Sequence, residues 1–488
     1  MLWIYIIIFI ILIIVLTISI IVYRKSKFST IFNYLPEEKE LVIARCEENI
    51  DWVNNYIDKY SKITIYNKCN NMNHNIKPNK KIIFVTLPNI GSCDYAYLTY
   101  IIDRYHDLPK CIEFIKGSQR PYNKISNTFY GENELLYIPH RNYNHIKNFK
   151  YNNHIFGNHP NRTHSFIASN YKNMGDWLHK HDILNDHDVK NRVKHIIFGG
   201  HFITTRWNIL RSSKDFWLSL RNQQLYPNEE IDHYIERLWG MILTKEPKYK
   251  LGVLAIFKNE AVAMSEWLEH YRNEGIEHFY LINNGSTDSF RHKVTASDIT
   301  LYDNDKRHAQ VEHYNYFLDK IKTECEWIAV VDLDEFIYAR LEYKTIPEYL
   351  DTLSDTIGAV EINWKMFGSN GYIKQPASII EGFFKRQLNM HQNVKSICRT
   401  KYLNSFGIHS SVHSGKTIKF SNQNEKLVSQ APLHLNHYAI QSWEWFKNIK
   451  MTRGSANVLK HDHVRNKNYF DLYDKNEIED TELKYKIY

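Results

Sequence analysis

Two stretches decide the fold class: Leu251-Gly-Val-Leu-Ala-Ile-Phe-Lys-Asn-Glu260 and Trp327-Ile-Ala-Val-Val-Asp-Leu-Asp-Glu-Phe336. Each is an unbroken apolar run that ends abruptly in polar side chains. A strand with one wet face would alternate; a continuous run suits a strand covered on both faces. Between the two, Lys258-Asn259-Glu260 opens a helix with Met264, Trp267, Leu268 and Tyr271 at helical spacing, ended by Gly275. His278–Ile282 reads as a second strand, followed by the turn Asn283-Asn-Gly-Ser-Thr-Asp288, and Thr300–Tyr302 as a third, weaker strand. Val311, Tyr314, Leu318 and Ile321 mark another helix face. Strand, helix, strand, helix, strand is an α/β pattern with a mostly parallel sheet and helices on both sides. In such sheets ligands sit outside the carboxyl ends of the strands. Lys258–Glu260, Asn284–Asp288 and Asp332–Glu335 all fall at those ends.

Asp332 and Asp334 directly follow a buried strand, so the chain can turn both carboxylates to one edge. Two carboxylates on one hard divalent ion, with diphosphate oxygens completing the shell, is a usual way to hold Mg²⁺ or Mn²⁺. Such an ion neutralises charge building on a departing nucleoside diphosphate. A lone Asp-x-Asp reads equally well as an acidic surface turn; its context is what gives it meaning.

That context is ordered. Ala255-Ile-Phe-Lys-Asn-Glu260, Trp267-Leu-x-x-Tyr271, Asn284-Gly-Ser-Thr-Asp288 and Asp332-Leu-Asp-Glu-Phe336 resemble the nucleotide-binding half of GT-A glycosyltransferases, a Rossmann-like fold. More narrowly, they resemble the family-92 and related family 2-like group. The likeness continues through Trp364-Lys-Met-Phe-Gly-Ser369, Lys395-Ser-Ile-Cys-Arg399, Asn436-His437-Tyr438, Lys450 and Arg453-Gly454, and covers 251–456. It implies transfer of a sugar from a nucleotide-sugar, a UDP-sugar first, to a hydroxyl of a glycan, protein or lipid acceptor. It implies that Asn259, Glu260, Asn284 and Asp288 lie near the nucleoside. Asp332 and Asp334 would grip the metal and diphosphate, with His437 as a third ligand through a neutral imidazole. An inverting transfer also needs a general base, normally Asp or Glu. Glu335, Glu361 and Glu381 are the candidates, with Glu361 and Glu381 favoured and no choice between them. Trp364 and Phe367 are aromatics of the kind that stack on a sugar face or fill a core.

Upstream, Lys245-Glu-Pro-Lys-Tyr-Lys250 is charged, carries a proline and separates two strand-like runs, which places a domain boundary there. A first domain, 40–244, starts with the strand Leu41–Arg45. A helix over Glu47–Tyr60 comes second, with Ile50, Val53 and Ile57 on one face, then strands at Ile63–Tyr66 and Lys81–Leu87. A helix at Tyr95–Tyr105 and a strand at Ile112–Gly117 come next, and later Gly199–Phe202 and Tyr234–Trp239. This order resembles the uncharacterised, GT-A-like DUF3431 family. No Asp-x-Asp follows its Ile112 strand: Lys116 and Gly117 stand there, which implies a metal-independent site or a degenerate partner that binds acceptor. Glu236 is its one base candidate, against a plain helix residue pairing with Arg237 or His233.

From Met1 to Tyr23 there is no charged side chain, enough apolar helix to cross a bilayer. With Arg24, Lys25 and Lys27 closing it, 2–23 reads as an uncleaved anchor and 24–39 as a stalk. The cation placement favours a cytosolic position for the rest. So does Asn284, a glycosylation sequon inside a working loop; the other sequon is Asn161. The 488 residues carry 62 Lys plus Arg against 54 Asp plus Glu, a net charge of +8. Spread over such a length, this gives no nucleic-acid footprint. Six cysteines without a CxxC pair point to free thiols rather than a disulfide framework. The polar last twenty residues are expected to fray. Two other functions compete. A phosphohydrolase of the haloacid dehalogenase type needs Thr or Val where Phe336 stands and is set aside. A non-catalytic glycan-binding scaffold of decayed transferase folds is disfavoured by Asp332, Asp334, Asn284 and Asp288 occurring together.

Overall fold

The computed structural model describes residues 36–69, 73–122, 130–132, 135–139, 148–150, 168–183, 196–225, 229–420, 429–453 and 465–487. The apolar span at 2–23, the stalk up to residue 35, and Asn161 lie outside them. Among the described residues no helix is long and apolar enough to cross a membrane. The chain divides between Glu246 and Pro247 into two units, each with its own sheet and core.

In the first unit, strands β1 (Lys39–Arg45), β2 (Lys62–Asn67), β3 (Ile82–Thr86), β4 (Cys111–Lys116), β5 (Tyr130–Glu132), β6 (Leu135–Pro139) and β7 (Ile197–Thr205) form one sheet. Their order is β3-β2-β1-β4-β7-β6-β5. The first four are parallel, and β7 returns antiparallel to β4. Alternate residues of β1 explain its continuous apolar run. Leu41 and Ile43 pack with Trp52 and Val53 on one face, while Val42 and Ala44 pack with Tyr97, Phe202 and Trp239 on the other. Each fully buried side chain of this kind contributes about 1.5–3 kcal/mol.

Two expectations for this unit fail. No α-helix spans 47–60; the chain makes two short 3-10 turns, Asp51–Asn55 and Ile57–Lys59. The cause is local. The Asp51 carboxylate accepts from the backbone N–H of Asn75 at 2.6 Å, and the Asn54 side-chain carbonyl accepts from Lys77 N at 2.9 Å. Short polar side chains spent on a neighbouring loop compete with helix continuation. The cysteines are not all free either. Cys46 and Cys69 form a disulfide, while Cys93, Cys111, Cys325 and Cys398 are buried thiols. Parallel β1 and β2 end side by side, Arg45 opposite Asn67, so cysteines just past those ends meet although 23 positions apart.

The second unit carries β8 (Tyr249–Phe257), β9 (His278–Asn283), β10 (Ile299–Asp303), β11 (Cys325–Val330), β12 (Glu335–Ala339), β13 (Ile357–Met366) and β14 (Lys385–Arg386). It continues with β15 (Val394–Arg399), β16 (Leu403–Ser405), β17 (Val412–His413), β18 (Lys416–Lys419), β19 (Leu433–His437) and β20 (Ile478–Glu479). Its main sheet runs β10-β9-β8-β11-β15-β13-β19-β12, with β18 beside β13. Strands β10, β9, β8 and β11 are parallel; β15 is antiparallel to β11. Leu251, Val253 and Ala255 of β8 face Met264, Trp267, Leu268 and Tyr271 of the helix Ala261–Asn273. Leu254 faces the opposite layer, where Tyr314, Phe317 and Ile321 pack from the helices Gln310–Tyr316 and Leu318–Glu324. Gly275 ends the first helix at φ +87°, and a Cβ there would lie 2.9 Å from Pro347 Cδ, so both backbone and neighbour require glycine.

The C-terminal segment does not fray. Strand β20 pairs with β14, and Asp480 meets Lys365 at 2.9 Å and Arg386 at 2.7 Å. Glu482 meets Arg340 at 2.6 Å, His434 at 2.8 Å and Lys365 at 3.1 Å. Polar composition here reflects an inward ion network anchored on the buried Lys365, not a solvated tail.

Candidate active site

The carboxyl ends of β8, β9 and β11 open on a cleft of about 460 Å³. Lys258, Glu260, Asn284, Asp332, Asp334 and His437 all line it. The sheet order explains their meeting: β8 lies between β9 and β11, so the loops leaving these three parallel strands emerge at one edge.

Two turns frame that edge. Asn259 sits at φ +54° and accepts from Thr287 N at 2.7 Å, while its own N–H donates to Ser286 Oγ at 3.0 Å. Asp288 accepts from Ala261 N at 2.7 Å and so caps the helix Ala261–Asn273 with a carboxylate at its positive end. Neither Asn259 nor Asp288 lines the cleft; both hold the turns that do. Asn284 lines it and donates to the carbonyls of Asn304 and Lys306 at 2.8 and 3.0 Å. Glu260 is buried in the wall, clasped by Arg453, which also donates to Asn259 O at 3.0 Å. Burial raises the Glu260 carboxyl above its usual range, although the guanidinium works against that.

Asp332 and Asp334 reach the same cleft in different settings. Asp332 is a third exposed and accepts from Lys395 Nζ at 2.9 Å. Asp334 is buried, paired with Lys450, and 3.6 Å from His437 Nε2. Burial alone would raise the Asp334 carboxyl, but Lys450 and His437 outweigh it and hold it well below the usual carboxylate range. Burial also lowers the His437 imidazole, with Asp334 working against that. Among the described residues no three His, Cys, Asp or Glu side chains are drawn together as a metal site. The donor types nonetheless suit a hard divalent ion. Two carboxylates and an imidazole face one cleft, and the buried Nδ1 of His437 has no hydrogen-bond partner.

None of the three base candidates lines this cleft. Glu335 is fully buried, accepting from Asp332 N at 2.9 Å with Lys395 at 3.3 Å; burial raises its carboxyl strongly, and the field of Asp332 and Asp334 adds to that. It shapes the turn that presents the aspartates. Glu361, on β13, pairs with Lys419 at 2.9 Å. Glu381 is exposed on the single turn Ile379–Gly382. Trp364 does line the cleft, ringed by the imidazoles of His437, His409 and His391 at centroid distances of 4.3, 5.3 and 5.4 Å. Phe367 is instead core, against Tyr438.

Sequence reasoning missed the cations as partners. Lys450 reaches Asp334 across 116 positions and Arg453 reaches Glu260 across 193. Lys395 arrives from β15, and Lys306 and His308 from the loop after β10. No spacing rule could bring these together; only the antiparallel return of β15 and the chain after β19 does so.

In the first unit, the end of β4 presents Lys116, 3.7 Å from Glu236. Glu236 accepts from Gly199 N at 3.0 Å. Burial would raise its carboxyl, but His233, Lys116 and Arg237 together hold it down at about 2. A carboxylate so stabilised is a poor proton acceptor at neutral pH, and of the two readings of Glu236 the geometry fits the helix residue paired with His233 and Arg237, at 3.8 and 3.7 Å.

Residues 253–473 match the model of glycosyltransferase family 92, and residues 41–252 that of a protein family of unknown function, DUF3431. A family 92 protein of Oryza sativa subsp. japonica is 24% identical over 41% of this chain and 35% of its own length. One from Ricinus communis is 23% identical over 51% and 49%, and one from Arabidopsis thaliana 25% over 41% and 37%. The chain thus spans between about a third and a half of the length of these curated relatives. A solved structure, glucosyl-3-phosphoglycerate synthase from Mycobacterium tuberculosis with Mn²⁺, UDP and glucosyl-3-phosphoglycerate, overlaps 32% of this chain and 58% of its own. It is 12% identical, and at a TM-score of 0.20 the overlap carries no weight for fold or activity. By sequence, residues 253–473 are thus similar to glycosyltransferase family 92 and residues 41–252 to DUF3431.

Proposed function

We propose that this chain is a glycosyltransferase of GT-A type whose second unit binds a nucleotide-sugar, a UDP-sugar first, and passes the sugar to a hydroxyl of a glycan, protein or lipid acceptor. The observation that carries this reading is the meeting of Asp332 and Asp334 with Lys258, Lys450 and Arg453 in one cleft of the family 92 segment. Cations on such walls attract and orient a diphosphate, and a fixed geometry lowers the barrier by holding the donor in place. Asp332, Asp334 and His437 would hold Mn²⁺ or Mg²⁺, which when bound neutralises charge on the departing nucleoside diphosphate. Trp364 offers an apolar ring to a sugar face.

The first unit serves this activity without a metal of its own, as an acceptor-binding or structural partner. The apolar span at 2–23 tethers the chain to a membrane. Its flanking cations favour the cytosolic side, whereas the Cys46–Cys69 disulfide supports an oxidising compartment for the folded units. We take the disulfide as the stronger indication, because it belongs to the folded units themselves.

The test is a donor screen. The full chain in detergent, with Mn²⁺ and a panel of nucleotide-sugars, is expected to release nucleoside diphosphate from one of them. Release from none, or release undiminished by Asp332→Asn, would remove the reading.

A further inference from the structure

Asp334 has a cation partner of its own. Lys450, delivered by the short turn Lys450–Thr452, sits on Asp334 Oδ2 with the two side chains only 9% and 2% exposed. Asp334 Oδ1 faces His437 at 3.6 Å, so both carboxylate oxygens already look at basic groups. The other cations of the cleft are held differently. Arg453 is fixed at two points, Glu260 and the Asn259 carbonyl. Lys395 is shared between Asp332 and Glu335, with its side chain wholly buried. Among the described residues Asp334 is the sole hydrogen-bond acceptor of the Lys450 ammonium, which lies 5.8 Å from the Trp445 ring, an aromatic face along which it can shift. Its four-carbon stem turns freely, unlike a guanidinium fork.

A divalent ion and an ammonium cannot share one buried carboxylate oxygen without strong repulsion. We propose that Lys450 and a divalent cation are alternative partners of Asp334. The lysine holds the carboxylate until a diphosphate arrives, then moves onto the diphosphate as the cation takes its place. The inference rests on the glycosyltransferase reading above and adds what that reading does not contain: the cation should bind well only together with the nucleotide. By linkage the nucleotide should gain the same factor from the cation. The lysine is a positioning residue in this scheme, setting the order of assembly.

The experiment is titration of Mn²⁺ into the full chain, followed by the electron paramagnetic resonance of the free ion, with and without UDP. Wild type is expected to bind Mn²⁺ weakly alone and about tenfold or more tightly with UDP. Lys450→Met, with Lys450→Gln as a second neutral replacement, should bind Mn²⁺ alone about tenfold more tightly than wild type and lose most of the UDP effect. Lys450→Arg, which keeps a competing charge, should stay close to wild type. Equal Mn²⁺ affinity of wild type and the neutral variants without UDP, while Mn²⁺ and UDP still bind together, overturns the proposal alone. A wild type that takes up neither Mn²⁺ nor UDP overturns the reading of the cleft and the proposal with it.

Discussion

The two sheets start alike and end differently. Both open with four parallel strands in one order, β3-β2-β1-β4 and β10-β9-β8-β11, and both then turn antiparallel, at β7 and β15. At the carboxyl end of the fourth strand one sheet presents Asp332 and Asp334 to a cleft, and the other presents Lys116 to the half-buried Glu236. The same topology therefore yields an open edge in one unit and an ion pair tying sheet to helix in the other. Fold supplies the place for chemistry; the two or three residues past each strand decide whether chemistry is there.

The sharpest way to break this contrast is to remove one charge from each edge. Asp334→Asn is expected to cut nucleotide release at least about 100-fold, the scale of losing one preorganised charge at a reacting centre. Lys116→Met should leave the initial rate within about twofold, because that ammonium pairs with Glu236 and not with an aspartate pair at an open edge. Comparable losses from both would erase the distinction between the units.

Next in size is the disulfide, which only the first unit carries. Replacing Cys46 and Cys69 by Ser should destabilise that unit by about 3 kcal/mol, the loop-closure scale for a bridge of this span. Hydrogen exchange should quicken in the amides of β1 and β2 and stay unchanged in β8 and β9.

The smallest effect concerns Asp94, wholly buried in the helix Ser92–Asp103, where Trp239 Nε1 donates to it at 2.6 Å. Burial first, and the Glu236 charge second, push its carboxyl up to about 7 from 3.8. An acid raised in the folded state gives stability that is full below about 3.8 and lost as pH climbs through about 7. Asp94→Asn keeps the acceptor for Trp239 and removes the titration. Its melting temperature should match wild type near pH 4 and exceed it at pH 8. A constant offset across that range would refute the assignment.

Much of the second unit could be read from its chain. The seven apolar residues of 251–257 and the five of 327–331 are both-faces-covered strands, and the alternation of Leu254 against Val253 and Ala255 shows why they carry no polar alternation. Asp332 and Asp334 were legible because a strand end fixes where a side chain emerges. Asn259 and Asp288 were legible as polar positions but not as cap and turn residues, since Asp288 and Ala261 meet only when β8 and β9 lie side by side. The base candidates fared differently: Glu361 and Glu381 have acidic chemistry, but register alone turns Glu361 toward Lys419. Lys450 and Arg453 were legible as part of the family likeness but not as partners of Asp334 and Glu260, because an ion pair closed over more than a hundred positions leaves no local trace.

Lys365, one residue before the end of β13, is 2% exposed, and its ammonium is met by Asp480 and Glu482 from far along the chain. Translation delivers those two acids long after the lysine, Glu482 117 positions later. The first unit can thus close while the ribosome is still at work, in the usual amino-to-carboxyl order. The second must wait with a lysine stranded inside its sheet until Asp480 and Glu482 have been made. A cut after Glu479 would deprive that lysine of both counter-charges, a defect of about 3–5 kcal/mol, felt beside the strand that ends in His437.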